Sequence, residues 1–326
     1  MLQASPHPNP SPQAGEGGAR PESSGGLADP SDIDRGDWVG RWLPEWAEPY
    51  ARLARLDRPI GTWLLLFPGW WGIALASQRW PDPALLALFG LGAVAMRGAG
   101  CTLNDIADRE YDGKVARTRT RPLPSGRVTV PQATLFMLGQ LAIGAAVLLT
   151  LNRASMLLGI AVLGLIATYP FMKRITWWPQ VFLGLNFNWG ALIGWTAVTG
   201  GLAWPPVLLY LGGIAWTLGY DTIYAHQDKE DDARIGVKSS ALVLGERTRP
   251  FLFAFYGAAA VLWAMAGVSD GLGRWFRFAL ALGAVQMFWQ AGRVNTDDPA
   301  DCLAKFRSNR WVGWLLLAGI LAGHFA

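Results

Sequence analysis

Gly100–Gly126 reads GCTLNDIADREYDGKVARTRTRPLPSG. It closes a long apolar segment and, within nine residues, places Asn104, Asp105, Asp108 and Asp112. The chain then turns basic, through Lys114, Arg117, Arg119 and Arg121 to Arg127 just beyond. Asn104, Asp108 and Asp112 are spaced by four, and Asp105, Asp108 and Asp112 by three and four. A helix therefore presents them on one face. Acids followed by bases, set at the mouth of an apolar helix, mark the end of a membrane span where something charged is held.

Outward from this stretch the composition agrees. The chain has 326 residues, 52% of them hydrophobic and 16% charged, whereas a soluble domain carries about 25% charged residues. Apolar runs near 20 residues recur, the mark of membrane helices. Nine spans are predicted, at 60–77, 84–104, 131–150, 154–171, 179–199, 205–224, 250–269, 275–292 and 309–325. One set of connecting loops carries twenty Lys and Arg, and the opposite set only Arg79, Arg153, Arg274 and Arg277. By the positive-inside rule the basic loops and the N-terminus face the cytoplasm. That topology also accounts for the pI near 9.2, so no nucleic-acid partner is expected; the partner surface is the lipid bilayer.

Residues 1–40 differ. PHPNPSPQAGEGGARPESSGG is rich in Pro, Gly and Ser and reads as a disordered tail, ahead of a membrane domain over 41–326. It has no apolar core of a signal peptide, and its acids argue against a mitochondrial presequence. A bacterial inner membrane is therefore expected ahead of a mitochondrial one. Trp38, Trp42, Trp46 and Tyr50 follow at helical spacing, as in an amphipathic helix at the interface. Most other tryptophans are assigned to the interfacial belts. Cys101 and Cys302 make no disulfide framework and have no metal-ligand spacing with a histidine.

Spans two and six both end on the basic face. Span six ends in GYDTIYAHQDKEDDARIGVKSS, a second acidic cluster followed by bases. Asp221, Asp228 and Asp232 fall at i, i+7 and i+11 on one helix face, with Asp231 beside them. The chain makes the same statement twice: helix, carboxylates, basic loop. One such cluster is as well explained by a solvated helix end; two with one layout on one face are not. Carboxylates this close repel and require a proton or a cation when desolvated. Mg²⁺ takes a few carboxylates together with phosphate oxygens and water, and the bases that follow suit phosphate. Acids holding metal, with metal and bases holding a polyanion, is the chemistry expected.

Other polar residues are weighed singly. Arg97 lies inside span two, seven residues before Asn104 and on its face; an intramembrane arginine points to a cavity or an internal partner. Asn186 and Asn188 either line that cavity or join neighbouring helices. The acids of NTDDPADC, Asp297, Asp298 and Asp301, read as a solvated loop. GVKSS lacks the upstream glycine spacing of a P-loop.

These stretches resemble the UbiA superfamily of intramembrane prenyltransferases, and within it the 4-hydroxybenzoate branch. The resemblance runs from about Leu53 to Phe325. NDxxDxxxD matches Asn104–Asp112 and DxxxD matches Asp228–Asp232. RPLPSG, YPFMKR and YDTIYAHQDKEDD carry the narrower likeness. It implies an all-α, nine-transmembrane-helix bundle with a central cavity capped by cytoplasmic loops. It also implies Mg²⁺ as cofactor, and polyprenyl diphosphate and 4-hydroxybenzoate as substrates, in ubiquinone biosynthesis. Asp105, Asp108, Asp112, Asp228 and Asp232 carry over as the motif aspartates and Asn104 as a metal-side ligand. Of these, Asp108, Asp112, Asp228 and Asp232, with Arg174 of YPFMKR, are the candidate catalytic residues. Arg97, Arg117, Arg121, Lys173, Lys238 and Asp221 are added as substrate-binding from charge and position. Whether Arg174 meets diphosphate or the acceptor carboxylate stays open.

No Ser–His or Cys–His nucleophile is in sight, so the expected chemistry is electrostatic stabilisation of departing diphosphate, with apolar walls keeping water from an allylic cation. A sibling enzyme with a naphthoate or homogentisate acceptor is the near alternative. A cation transporter is the distant one, and it would place its charged ligands near the midplane on broken helices.

Overall fold

The structure, a computed structural model, describes residues 33, 36–115 and 118–325. Arg117 lies outside the described residues, as does most of the expected tail; Gly36–Gly40, within that tail, are described and lead into the first helix. Fourteen α-helices and no strands occur among the described residues. Two short ones, α1 (Trp38–Trp42) and α2 (Glu48–Leu53), lead in. Then come α3 (Ile60–Ala76), α4 (Pro83–Asp112), α5 (Val130–Leu149), α6 (Arg153–Ile175), α7 (Pro179–Asn188), α8 (Gly190–Thr199) and α9 (Trp204–Ala225). Two more short helices, α10 (Lys229–Ile235) and α11 (Ser240–Leu244), precede α12 (Thr248–Ser269), α13 (Arg274–Arg293) and α14 (Pro299–Gly323). Each predicted span is occupied by a helix, the fifth by α7 and α8 in succession. Among the described residues five stretches are long and apolar enough to cross a membrane: Pro83–Asp112, Val130–Leu149, Arg153–Ile175, Pro179–Thr199 and Ser240–Ser269.

The ends are set by local chemistry. Asp82 caps α4 ahead of Pro83, and Asp298 caps α14 ahead of Pro299. Thr129 and Gln132 form a reciprocal capping box on α5. Proline in the first turn costs no hydrogen bond there. The acids of NTDDPADC are therefore not a free loop: Asp298 is a cap, Asp301 sits in the first turn of α14 and binds Lys305 at 2.8 Å. Helix α4 has 30 residues and spans about 45 Å, against roughly 30 Å of hydrocarbon. Its last turns, Asn104 to Asp112, stand clear of the lipid interior.

Three buried indoles join α3, α9, α12 and α14. Trp71, Trp216 and Trp263 are 0%, 0% and 1% exposed, each indole within 6 Å of the other two. Their N–H groups donate to Gly313 O, Asn309 Oδ1 and Leu209 O at 3.0, 2.8 and 3.2 Å. These three belong to the core, not to the belts; Trp42, Trp46, Trp80 and Trp204 are the most exposed of the described tryptophans. Lipid gives helices little hydrophobic reason to associate, so close packing and such bonds do the joining. Helix α3 meets α8 through bare backbone: a Cβ on Gly190 would lie 3.0 Å from Gly69 N, and one on Gly194 would meet Gly69 O. Asn186 and Asn188 join helices. Asn186 Nδ2 donates to Leu165 O of α6 at 3.3 Å, and Asn188 Nδ2 to Thr217 Oγ1 of α9 at 2.9 Å.

Candidate active site

The bundle encloses a cavity of about 1020 Å³. Both acidic clusters line it. From the first come Asn104, Asp105, Asp108 and Asp112; from the second come Asp221, Asp228, Asp231 and Asp232. Arg97, Arg121, Lys173 and Lys238 also reach it. The sequence separates these groups by more than a hundred residues, and the fold gathers them.

The first cluster is closed by cations. Arg55 Nη2 donates to Asp105 Oδ1 at 2.6 Å, and Arg121 Nη1 to Asp112 Oδ2 at 3.0 Å. Lys173 Nζ donates to Asp108 Oδ2, and Arg174 Nη2 to Asp108 Oδ1 at 3.1 Å. Arg174 also donates to Ala107 O at 3.0 Å and lies 4.9 Å from the centre of the Tyr111 ring. That holds it at the rim, beside the aspartates. Arg55 was not foreseen. It reaches Asp105 from a left-handed backbone, φ 56°, a conformation that costs a non-glycine residue about 1–2 kcal/mol. Nothing in RLARLDRP signals this, because the strain is set by the turn between α2 and α3.

A network behind Arg55 fixes that turn. Arg52, 1% exposed, donates to Glu48 Oε1 at 2.7 Å and to both Asp37 oxygens at 3.0 and 3.2 Å. Arg127 pairs with Glu48 and holds its carboxyl below the ordinary value, tying α2 to the loop after α4.

The second cluster is built differently. Helix α9 ends at Ala225, a 3-10 turn covers His226–Asp228, and α10 runs from Lys229 to Ile235. The single helix face expected for Asp221, Asp228 and Asp232 is thus interrupted, yet all three still line the cavity. Burial pushes the His226 imidazole down to about 4, with nearby Lys229 adding to the effect. Its Nε2 lies 3.0 Å from Thr248 Oγ1, whose own proton goes to Gly245 O. Lys229 pairs with Asp297 from the α13–α14 loop and holds that carboxyl low. Arg234 makes only exposed pairs, 3.5 Å to Asp231 and 3.8 Å to Glu230.

The loop after α10 ties the clusters together. Gly236, φ +74°, turns the chain. Lys238 N then donates to Lys173 O at 2.9 Å and Lys238 Nζ to Ile175 O at 3.1 Å, with Trp177 beneath the amine. The Lys238 side chain thus lines the cavity with its amine bonded to the end of α6.

Deeper in the cavity lie Arg97, Tyr169, Tyr220 and Asp221. Tyr169 and Tyr220 were missed, since a tyrosine in an apolar span carries no periodic signal. Arg307 also lines the cavity from α14, and its neighbours SNRW gave no hint.

Among the described residues no three His, Cys, Asp or Glu groups sit close enough together to hold a metal by themselves. The donor chemistry nevertheless fits a hard cation. Asn104 Oδ1 and Asp105 Oδ2 are buried without a hydrogen-bond partner, and buried oxygens are rarely left so. Mg²⁺ needs few protein ligands when phosphate oxygens and water supply the rest.

A helical membrane bundle with paired acidic clusters over one cavity has known counterparts. The chain belongs to the UbiA prenyltransferase family, whose description matches residues 65–323. It is 49% identical over 295 residues to the mitochondrial 4-hydroxybenzoate polyprenyltransferase of Arabidopsis thaliana, covering 90% of this chain and 72% of that one. To the Homo sapiens protein of the same description it is 49% identical over 287 residues, covering 86% and 76%. The fold is similar to that of a UbiA homolog from Aeropyrum pernix K1, with TM-score 0.69, 27% identity, and 81% and 98% of the two chains covered. It is also similar to a UbiA homolog from Archaeoglobus fulgidus bound to GPP and Mg²⁺, with TM-score 0.61, 19% identity, and 85% and 100% covered. The protein is an integral membrane prenyltransferase by family, which sets the transporter reading aside.

Proposed function

We propose that this protein transfers a polyprenyl group from polyprenyl diphosphate to the ring carbon ortho to the hydroxyl of 4-hydroxybenzoate, releasing diphosphate, in ubiquinone biosynthesis. The observation that carries the reading is the meeting of two acidic clusters and their cations over a cavity that continues into the apolar bundle. The names of the relatives support the choice of acceptor. Asn104, Asp105, Asp108, Asp112, Asp228 and Asp232 would hold Mg²⁺, which when bound offsets the charge of the diphosphate and eases its departure.

The chain's own side chains do the rest. Lys173, Arg174 and Arg121 turn from the aspartates to diphosphate oxygens, Arg174 from its seat on Tyr111. Arg117 joins them by its place in the basic loop. As the C–O bond of the donor breaks, its electron pair leaves with diphosphate. The ring carbon forms the new C–C bond, and the ring proton passes to the released diphosphate. Arg97, well below the rim, takes the acceptor carboxylate, and Asp221 accepts from the acceptor hydroxyl. Tyr169, Tyr220 and Phe187 wall the reacting carbons from water. Lys238 lines the same cavity while its amine bonds Ile175 O, and it stays with Lys173 and Arg121 among the substrate-binding residues.

The mitochondrial names of the relatives favour a mitochondrial inner membrane, where the tail alone had favoured a bacterial one; fractionation of the native cells decides between them. The activity is tested with purified protein, Mg²⁺, a short prenyl diphosphate, and 4-hydroxybenzoate, a naphthoate or homogentisate, with products read by mass spectrometry. A ring-prenylated 4-hydroxybenzoate is expected. Product only with another acceptor would make this a sibling enzyme.

A further inference from the structure

Arg97 springs from α4, but its guanidinium is shaped by two other helices. On one side is the backbone of Gly61 in the first turn of α3; a Cβ there would come within 2.5 Å of Nη2, 2.6 Å of Nε and 2.8 Å of Cζ. On the other side is the Phe187 ring of α7, its centre 5.4 Å from Cζ. Packing fixes the group: Arg97 Nε is buried and has no hydrogen-bond partner, and the Asp221 carboxyl acts on the guanidinium through space. A cation so placed in an apolar span is costly unless an anion reaches it.

We propose that Gly61 is a positioning residue for Arg97, so that the absence of one methyl group sets where the acceptor carboxylate is met. The proposal rests on the reading of Arg97 as the carboxylate partner. Carbon atoms pack at about 3.5–4.0 Å. An alanine at 61 must therefore displace the guanidinium by roughly 1 Å, and misplacement on that scale is felt strongly in a built site. The guanidinium is the free end of a long side chain, so it yields while the helices stay where they are. The consequence falls on binding of the acceptor, not on the donor and not on folding.

The test is a cycle of Gly61→Ala, Arg97→Ala and the double variant, each assayed in membranes for kcat and for KM toward both substrates. Gly61→Ala is expected to raise KM for 4-hydroxybenzoate about tenfold, with kcat and the donor KM within about twofold of wild type. Arg97→Ala raises the acceptor KM further, and the double variant matches Arg97→Ala, because the methyl then has nothing to displace. If Gly61→Ala multiplies the acceptor KM by the same factor in both backgrounds, Gly61 does not act through Arg97 and the proposal fails. If Arg97→Ala leaves the acceptor KM unchanged, the reading of Arg97 itself is lost. Should Gly61→Ala fail to accumulate, recovery of the double variant to wild-type levels still identifies Arg97 as the group displaced. Failure of both to accumulate overturns the proposal.

Discussion

The two acidic clusters share a composition but not a construction. The first completes one unbroken 30-residue helix, and Arg55, Arg121, Lys173 and Arg174 engage its carboxylates. The second is spread over the end of α9, a 3-10 turn and the seven-residue α10, where the pairs that Arg234 makes with Glu230 and Asp231 are exposed. Exposed pairs are worth about 0–1 kcal/mol, whereas removing one partner of a buried pair costs about 3–5 kcal/mol. A repeated motif in sequence has thus become a fixed wall and a lighter flap. Charge count alone would have made them equivalent.

The comparison breaks most sharply at the carboxylates. Asp108→Asn and Asp232→Asn are each expected to lower kcat by roughly a hundredfold or more, since charge on the leaving group must be met in the transition state. Full activity in either variant, measured at saturating Mg²⁺, would remove that cluster from the site. Lys173→Met comes next: the donor KM should rise about tenfold, as one charge-assisted contact to phosphate is lost. An unchanged donor KM would leave Lys173 as packing for Asp108.

A smaller effect tests the tie between wall and flap. Lys238→Met should cost several-fold in kcat/KM for the donor, and Lys238→Arg should restore most of it. In a Lys173→Met background the Lys238→Met loss should shrink, because neighbours in one network are not additive. Strict additivity would show that the two lysines act separately. Hydrogen exchange addresses the same contrast without mutation. Amides of 229–238 should exchange faster than those of 104–112, and prenyl diphosphate with Mg²⁺ should narrow the gap. Equal protection in the free protein would contradict the two constructions. The smallest effect is expected from deleting residues 1–32, which carry too little apolar content to pack. Activity in membranes should stay within about twofold, and a larger fall at equal expression would give the segment a role.

Much of this was legible because membrane helices announce themselves by apolar length, and the acidic sets by spacing. What stayed hidden has physical causes. Hydropathy ended span two near residue 104, because NDIADREYD is polar; the helix continues because nothing in those residues breaks it. It missed the first turns of α14 for the same reason. Trp71 and Trp204 are alike in sequence, and only packing decides that one is buried at a triple indole contact and the other is exposed. Arg55 is recruited by a left-handed turn that a one-dimensional pattern does not encode. Lys238 lines the cavity as its charge and loop suggested, but its bond to the carbonyl of Ile175 is a tertiary contact that the sequence does not show.

The glycine seam between α3 and α8 carries a consequence in time. Gly69 and Gly194 are about 125 residues apart in the chain, and synthesis proceeds at roughly 5–20 residues per second. For about 6–25 s after Gly69 is made, its partner does not exist. During that interval α3 has a groove of bare backbone along one side without the helix that fills it in the fold. That face of α3 therefore cannot be covered as in the finished fold until α8 has been made.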